Sequence, residues 1–228
     1  TNYELGFKGT FADGRVRLSG AFFYMDYRDK HEQVNIDNSD GQFGNETEIG
    51  IVTNAATVDI TGIELEVRAA PWDGGFVSLD LGKLDSAYGE FKSFDPNAVG
   101  GFIDQSDLSI ADFSPDTTIN LSVEHEFQLG NGATLTPLLG MYYQSDYDFV
   151  GGLTSDEQSY CHQPAYTKMR ARVTYVPADG AWQASLFGNN VNDERYMEWC
   201  GNGRAGVMYS RFGAPSAWGL EWQYNWGS

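Results

Sequence analysis

No stretch of this chain approaches the roughly 20 consecutive apolar residues that a membrane helix requires. Any crossing of a bilayer must therefore be made by strands. Positive charge is also scarce: 14 Lys and Arg stand against 32 Asp and Glu, for a formal net charge of -18. That excludes nucleic acid as a partner, because its binding draws on clustered cations that neutralise phosphates. An acidic excess of this kind keeps loops and a water-filled interior solvated. There are only three His and two Cys, with no dense Cys-x-x-Cys spacing for a metal. No nucleophile motif or phosphate loop stands out, so the sequence does not read as an enzyme and calls for no cofactor. Neither a Met start nor a positively charged leader precedes Thr1. The chain is expected to be mature, trimmed or internal.

What is present is glycine and aromatic residues: 27 Gly, 13 Tyr, 14 Phe and 6 Trp, a mixture that suits a large barrel. The most informative stretch is the last, Ala217 to Trp226. Strand side chains alternate with period two, which puts Trp218, Leu220, Trp222, Tyr224 and Trp226 on one face and Gly219, Glu221, Gln223 and Asn225 on the other. Aromatic rings favour the headgroup boundary while lumen positions stay polar, so this pattern points to a membrane-spanning strand. Gly227-Ser228 is expected to be a tail or a cloning remnant.

Along the chain, strands are expected at about Asn2–Phe11, Arg15–Ile36, Ile49–Ala70, Phe76–Phe91, Thr118–Gln128, Ala133–Tyr147, Ala165–Val176, Trp182–Tyr196 and Ala217–Trp226. Tight turns at Asp13-Gly14, Asp73-Gly74, Asn131-Gly132 and Asp179-Gly180 alternate with long polar loops at 37–48, 92–115, 148–164 and 197–215. Short turns on one rim and long loops on the other describe an antiparallel up-and-down barrel. Val58 and Ile60 fall on the opposite parity from Ile63, Leu65 and Val67, and a bulge near Thr61-Gly62 would reconcile them. His125 sits on the apolar face near a turn, as an interfacial ring. Cys161 and Cys200 lie in loops at the same end of consecutive hairpins. A disulfide is expected in an oxidising compartment, with free thiols, or a metal site that includes His162, as the alternatives. About nine strands is odd, whereas closed bacterial barrels are even, so the set reads as part of a barrel with two open edges.

Two stretches resemble a known family. Tyr166–Tyr175 followed by Trp182–Tyr196 is similar to the penultimate hairpin of TonB-dependent outer-membrane receptors, whose motif is commonly Asn-Leu-(Thr or Phe)-(Asp or Asn)-x-x-Tyr. Asn190, Asp193 and Tyr196 match, while Val191 and Asn192 depart. Phe212-Gly213-Ala214-Pro215 and the strand after it resemble the family's ending, and Asn54-Ala55-Ala56 through Gly62-Ile63-Glu64-Leu65-Glu66 resembles an internal strand.

The resemblance implies that residues 1–226 are the C-terminal part of a barrel of about 22 strands, with the plug and the TonB-contacting box upstream. It implies an outer-membrane receptor of a Gram-negative bacterium that takes up a scarce small-molecule nutrient, by default a ferric siderophore. The implied partners are the TonB complex through the plug, the barrel assembly machinery through the C-terminal strand (Trp218, Leu220, Trp222, Tyr224 and Trp226), and outer-membrane lipid. Glu64, Glu66 and Arg68 read as lumen solvation or plug contact. Phe102, Asp104, Tyr147, Phe149, Tyr160 and Tyr209 are the loop candidates for ligand contact. The competing expectation is a soluble secreted all-β carbohydrate-binding protein or glycoside hydrolase with paired carboxylates.

Overall fold

The computed structural model describes residues 1–37, 48–94, 99–104, 106, 114–149, 160–202 and 208–226. Its strands are β1 (Asn2–Phe11), β2 (Val16–Asp37), β3 (Glu48–Ala69), β4 (Gly75–Phe94), β5 (Phe102–Asp104), β6 (Thr117–His125), β7 (Phe127–Gln128), β8 (Thr134–Gln144), β9 (Tyr147–Asp148), β10 (His162–Gln163), β11 (Tyr166–Val176), β12 (Trp182–Asn189), β13 (Met197–Asn202), β14 (Met208–Phe212) and β15 (Ala217–Tyr224). Nine of them follow one antiparallel path, β1-β2-β3-β4-β6-β8-β11-β12-β15, so each strand lies beside its predecessor on that path. The expected up-and-down order is borne out, as an open sheet in which β1 and β15 are the edges.

The short turns close as their residues dictate. Ala12, Asp13 and Gly14 all have left-handed φ, of 52, 53 and 91°, and Arg15 N–H donates to the Ala12 carbonyl at 3.0 Å. At the next inner turn a Cβ on Gly74 (φ 78°) would stand 2.7 Å from the Glu126 carbonyl oxygen, a position only glycine fills.

Pairing carries one chemistry across the whole sheet. Phe11, Val16, Ala69, Val77, Val123, Leu139, Ala171, Gly188 and Trp218 are successive partners in one row. One residue along, and therefore on the opposite face, runs Thr10, Arg17, Arg68, Ser78, Ser122, Gly140, Arg170, Asn189 and Ala217. Next on the first face come Gly9, Leu18, Val67, Leu79, Leu121, Met141 and Met169. The apolar face is bare: Leu5 is 76 %, Leu220 85 % and Trp226 90 % exposed. A soluble sandwich would bury such side chains at about 25 cal/mol per Å², yet no second layer covers this face among the described residues. It is the arrangement of a wall with lipid outside and water inside.

Three expectations need correction. No bulge occurs at Thr61-Gly62, because β3 pairs with β2 without interruption from Val58 to Ala69. Val58 and Ile60 therefore share the inward face, and Val58 is 1 % exposed. The register shifts lie farther out, beside Arg28-Asp29 of β2 and at Gly89 of β4. Described parts of the stretches expected to be loops also form strands: β4 runs to Phe94 and pairs with β5, β9 pairs with β10, and β13 pairs with β14, while 38–47 of the first expected loop lie outside the described residues. Finally, β12 ends at Asn189 and not at Tyr196.

His125 lies on the outward face, where its Nδ1 accepts from Trp72 Nε1–H at 2.9 Å and its ring meets Phe127 edge-on at 4.3 Å. The tail at 227–228 lies outside the described residues.

In the receptor that contains this chain, Leu121→Arg is expected to cost about 2–4 kcal/mol, the penalty of a cation at mid-bilayer on the lipid face. Asn120→Arg, one residue along and facing the lumen, is expected to be tolerated. The fraction of each variant that folds into lipid bilayers, read from heat-modifiable gel migration across a urea series, checks this. Equal loss for both variants contradicts the assignment of faces.

Candidate functional site

The inward face is a polar wall. Arg68 bridges Asp80 at 2.7 Å and Glu66 at 3.1 Å, and the Ser19 hydroxyl donates to Glu66 at 3.1 Å. Glu64, in the same inward series, borders a hollow of about 460 Å³ with Ala21, Asp80, Thr118 and Tyr142. Farther round, Arg172 donates to Glu221 at 2.8 Å and to the Ser185 hydroxyl at 2.9 Å. Exposed ion pairs of this kind contribute about 0–1 kcal/mol each. They solvate the wall and do little to stabilise it.

The segment after β12 is a strap that ties three strands together at their outer ends. Asn190 and Asp193 have φ of 49 and 51°, a conformation that Asn and Asp tolerate better than most residues. Asn190 is 8 % exposed. Its Oδ1 accepts from Glu194 N–H at 2.9 Å, while its Nδ2 donates to the carbonyls of Glu194 at 2.9 Å and Ala214 at 3.1 Å. Asp193 Oδ1 accepts from Ser216 N–H at 2.9 Å, just before β15 begins. Asn192 reaches back to β11, accepting from Met169 N–H at 2.9 Å and donating to the Thr167 carbonyl at 2.7 Å. Tyr196 then turns inward and stacks on Tyr166 at 5.0 Å between centroids. A Cβ on Gly213 would stand 2.0 Å from that ring, so Gly213 leaves the space it occupies.

Above the strap, the outer loops are joined. Cys161 and Cys200 form a disulfide with 5.3 Å between Cα atoms, 39 residues apart in sequence. Gln163 Oε1 accepts from Met197 N–H at 2.6 Å, and Phe149 N–H donates to the Cys161 carbonyl at 3.1 Å. Phe149 is 3 % exposed and packs with both cysteines against Tyr147, Met197 and Met208. Of the loop candidates, it thus belongs to the interior of the loop body. His162 Nδ1 lies 2.9 Å from Asp148 Oδ1, and among the described residues no cluster of metal-ligating side chains exists.

The other loop candidates divide into two groups. Tyr147 rests against Phe149 at 4.9 Å and borders a hollow shared with Glu64 and Gln144, with burial raising the pKa of its phenol. Tyr160 and Tyr209 are 69 % and 56 % exposed on the same joined loops. Phe102 and Asp104 lie apart, on the β5 hairpin that extends β4. The N–H of Ser106 holds the Asp104 carboxyl below its ordinary pKa, and nearby Lys92 is raised by its bond to Glu90, at 2.8 Å.

One group escaped the sequence reading. Lys168 and Arg170 face inward on β11 beside Tyr142, Tyr166 and Tyr196, around a cavity of about 530 Å³. Their signal was the inward parity of Lys168, Arg170 and Arg172, which a reading centred on the apolar face passes over.

Two variants of the full receptor test this arrangement. Cys200→Ser is expected to cost the loop body about 2–4 kcal/mol, seen as faster tryptic cleavage of the outer loops while the barrel keeps its heat-modifiable migration. Asn190→Ala leaves the Glu194 N–H and the Ala214 carbonyl without their partner, at about 1–3 kcal/mol, and lowers the urea midpoint of the barrel itself. If Asn190→Ala affects only loop cleavage, the strap does not hold the strands.

Comparison with known proteins places this geometry. The family model described as TonB dependent receptor-like, beta-barrel matches residues 1–192. The fold is shared with the ferric yersiniabactin uptake receptor FyuA from Yersinia pestis, at a TM-score of 0.68 and 18 % identity over 97 % of this chain and 29 % of that one. It is shared also with the ferripyoverdine receptor of the Pseudomonas aeruginosa outer membrane, at 0.64 and 18 % over 98 % and 26 %. The FrpB iron transporter from Neisseria meningitidis gives 0.60 and 15 % over 98 % and 30 %. The chain thus spans less than a third of the length of these receptors. Members of the matching family are transporters, not enzymes, and sit in the outer membrane of Gram-negative bacteria. An antiparallel sheet that is apolar outside and polar inside, with the family's match over most of its length, establishes that this chain belongs to the TonB-dependent receptor β-barrel family.

Proposed function

We propose that this chain is the C-terminal part of the barrel of a receptor that takes up a ferric siderophore by active transport driven through TonB. The observation that carries the reading is the polar inward face beneath outer loops braced by a disulfide. Such a wall lines a path for a large hydrophilic cargo, and braced loops offer a fixed surface to meet it. Structural likeness to receptors for ferric yersiniabactin and ferripyoverdine supports iron chelates as the class of cargo.

The upstream part of the receptor supplies the plug and, through it, the contact with the TonB complex. The aromatic outward face of β15, from Trp218 through Leu220 and Trp222 to Tyr224, with Trp226 just beyond the strand, is the surface read by the barrel assembly machinery and then by lipid. Tyr147, Tyr160 and Tyr209 on the braced loops and Asp104 on the β5 hairpin are the ligand contacts assigned to this part; Phe102 shares that hairpin.

The test is uptake of radioactive iron, presented as a panel of ferric siderophores, by iron-starved cells with and without the receptor gene. At least one chelate is expected to enter only when the gene is present, and to stop entering when TonB is deleted. Uptake that persists without TonB, or a wider panel including haem and cobalamin in which only a nutrient other than a ferric siderophore depends on the gene, would sink the siderophore reading.

A further inference from the structure

The lumen wall neutralises Arg68 and Arg172 with its own carboxylates, but two neighbouring cations are treated differently. Lys168 and Arg170 occupy successive inward positions of β11. Neither has a carboxylate partner among the described residues. The Lys168 ammonium lies 4.1 Å from the ring centroid of Tyr196, 5.5 Å from that of Tyr142 and 5.8 Å from that of Tyr166. Ring faces attract an ammonium through their quadrupoles and so fix its position, but they leave its charge intact.

Arg170 is fixed by a different device. It pairs with Gly140 across the strands, and a Cβ at that position would come within 2.5 Å of Arg170 Nε and 2.8 Å of Cγ. The side chain therefore lies along the wall over the glycine. Both cations border the cavity of about 530 Å³, together with Asn120 and Asn189. It sits near the outer ends of the strands, below the braced loops. Two positioned cations without a carboxylate partner on one wall of an open hollow attract an anion, and a guanidinium beside an ammonium suits the two oxygens of a carboxylate.

We propose that Lys168 and Arg170 form a subsite for a carboxylate in the outer half of the lumen. A carboxylate of the transported ligand rests on the uptake reading above; an Asp or Glu from the upstream part of the receptor presents the same chemistry from a second source.

The experiment uses the purified full receptor in detergent. The rate at which an amine-acylating ester modifies Lys168 is read by mass spectrometry with and without citrate as the probe carboxylate. A separate sample is treated with a carbodiimide, which joins an ammonium directly to a carboxylate in contact with it. Protection of Lys168 by citrate is expected, and Arg170→Gln is expected to raise the citrate concentration needed by about tenfold, the effect of losing about 1.4 kcal/mol. Gly140→Val, which displaces Arg170 without removing its charge, is expected to do the same. That result assigns the carboxylate to the ligand.

Coupling of Lys168 to an upstream Asp or Glu by the carbodiimide, with no citrate protection, assigns it to the receptor itself. If Lys168 reacts at one rate with and without citrate and couples to nothing, there is no carboxylate subsite and the proposal is overturned. TonB-dependent uptake, measured separately, is untouched by that outcome.

Discussion

Everything in this structure depends on the demand that no backbone N–H or C=O enter lipid unpaired. Between its two edges the sheet meets it by pairing each strand of the path with both neighbours, and that pairing fixes the faces, since a row of partners shares one side of the sheet. The register shifts obey the same demand. Those of the long β2, β3 and β4 lie at Tyr27–His31 and at Thr57-Val58, beyond the outward ring of Tyr24, where water can satisfy the freed groups. Pro137 is the instructive case nearer the inner rim. It has no N–H, and the pairing of β6 with β8 stops at Glu124, to resume in β7 at Phe127. Glu126 N–H turns to the Gly74 carbonyl at 2.7 Å instead.

The strap at the end of β12 solves a related problem in water. A strand that simply ended there would leave the outer ends of β11 and β15 to fray. Asn190 and Asp193 reverse the chain in left-handed conformations while their side chains bond the approach to β15, and Asn192 bonds the edge of β11. The spacing of the family motif then has a physical reading. Asn190 closes a ring on Glu194, Asp193 holds Ser216, and by Tyr196 the chain has turned far enough for its ring to stack on Tyr166. The residues that depart from the motif fit as well, because Val191 engages β11 through its backbone N–H to the Met169 carbonyl, a contact indifferent to its side chain.

The membrane-facing part of the fold was legible because a period of two is enforced at every outward position by lipid. Asn2–Phe11 and the last strand could be read almost residue by residue. The outer loops were less legible, since β5, β9, β10, β13 and β14 answer to a disulfide and to side-chain bonds such as that of Gln163 to Met197, which leave no periodic trace. Phe149 looked like an exposed loop aromatic for the same reason: the pairing of Cys161 and Cys200 was expected, but not that Phe149 packs against it. Val58 and Ile60 misled for the opposite reason. Apolar residues were expected to face lipid, but above the bilayer the inward face of the β2–β4 extension packs on itself, with Ala56 against Phe91 and Tyr88.

The candidate site also shows why net charge is a poor guide to what a lumen holds. The formal charge of -18 argues against an anionic ligand only if the charges act together, and they do not. Glu64, Gly82, Thr118, Gln144 and Tyr166 are successive partners in one row. Four strand spacings, on the order of 19 Å along the wall, therefore separate Glu64 from the strand that bears Lys168 and Arg170. Charges are screened in physiological salt over about 8 Å. A group held against Lys168 and Arg170 therefore feels those two cations and little of Glu64. Asp80, Glu66 and Glu221, which lie beside Arg68 and Arg172, are already spent on those two arginines. Among the described residues, the lining of the cavity beside β11 holds Lys168 and Arg170 and no carboxylate, so in a strongly negative chain a group bound there meets those two cations first.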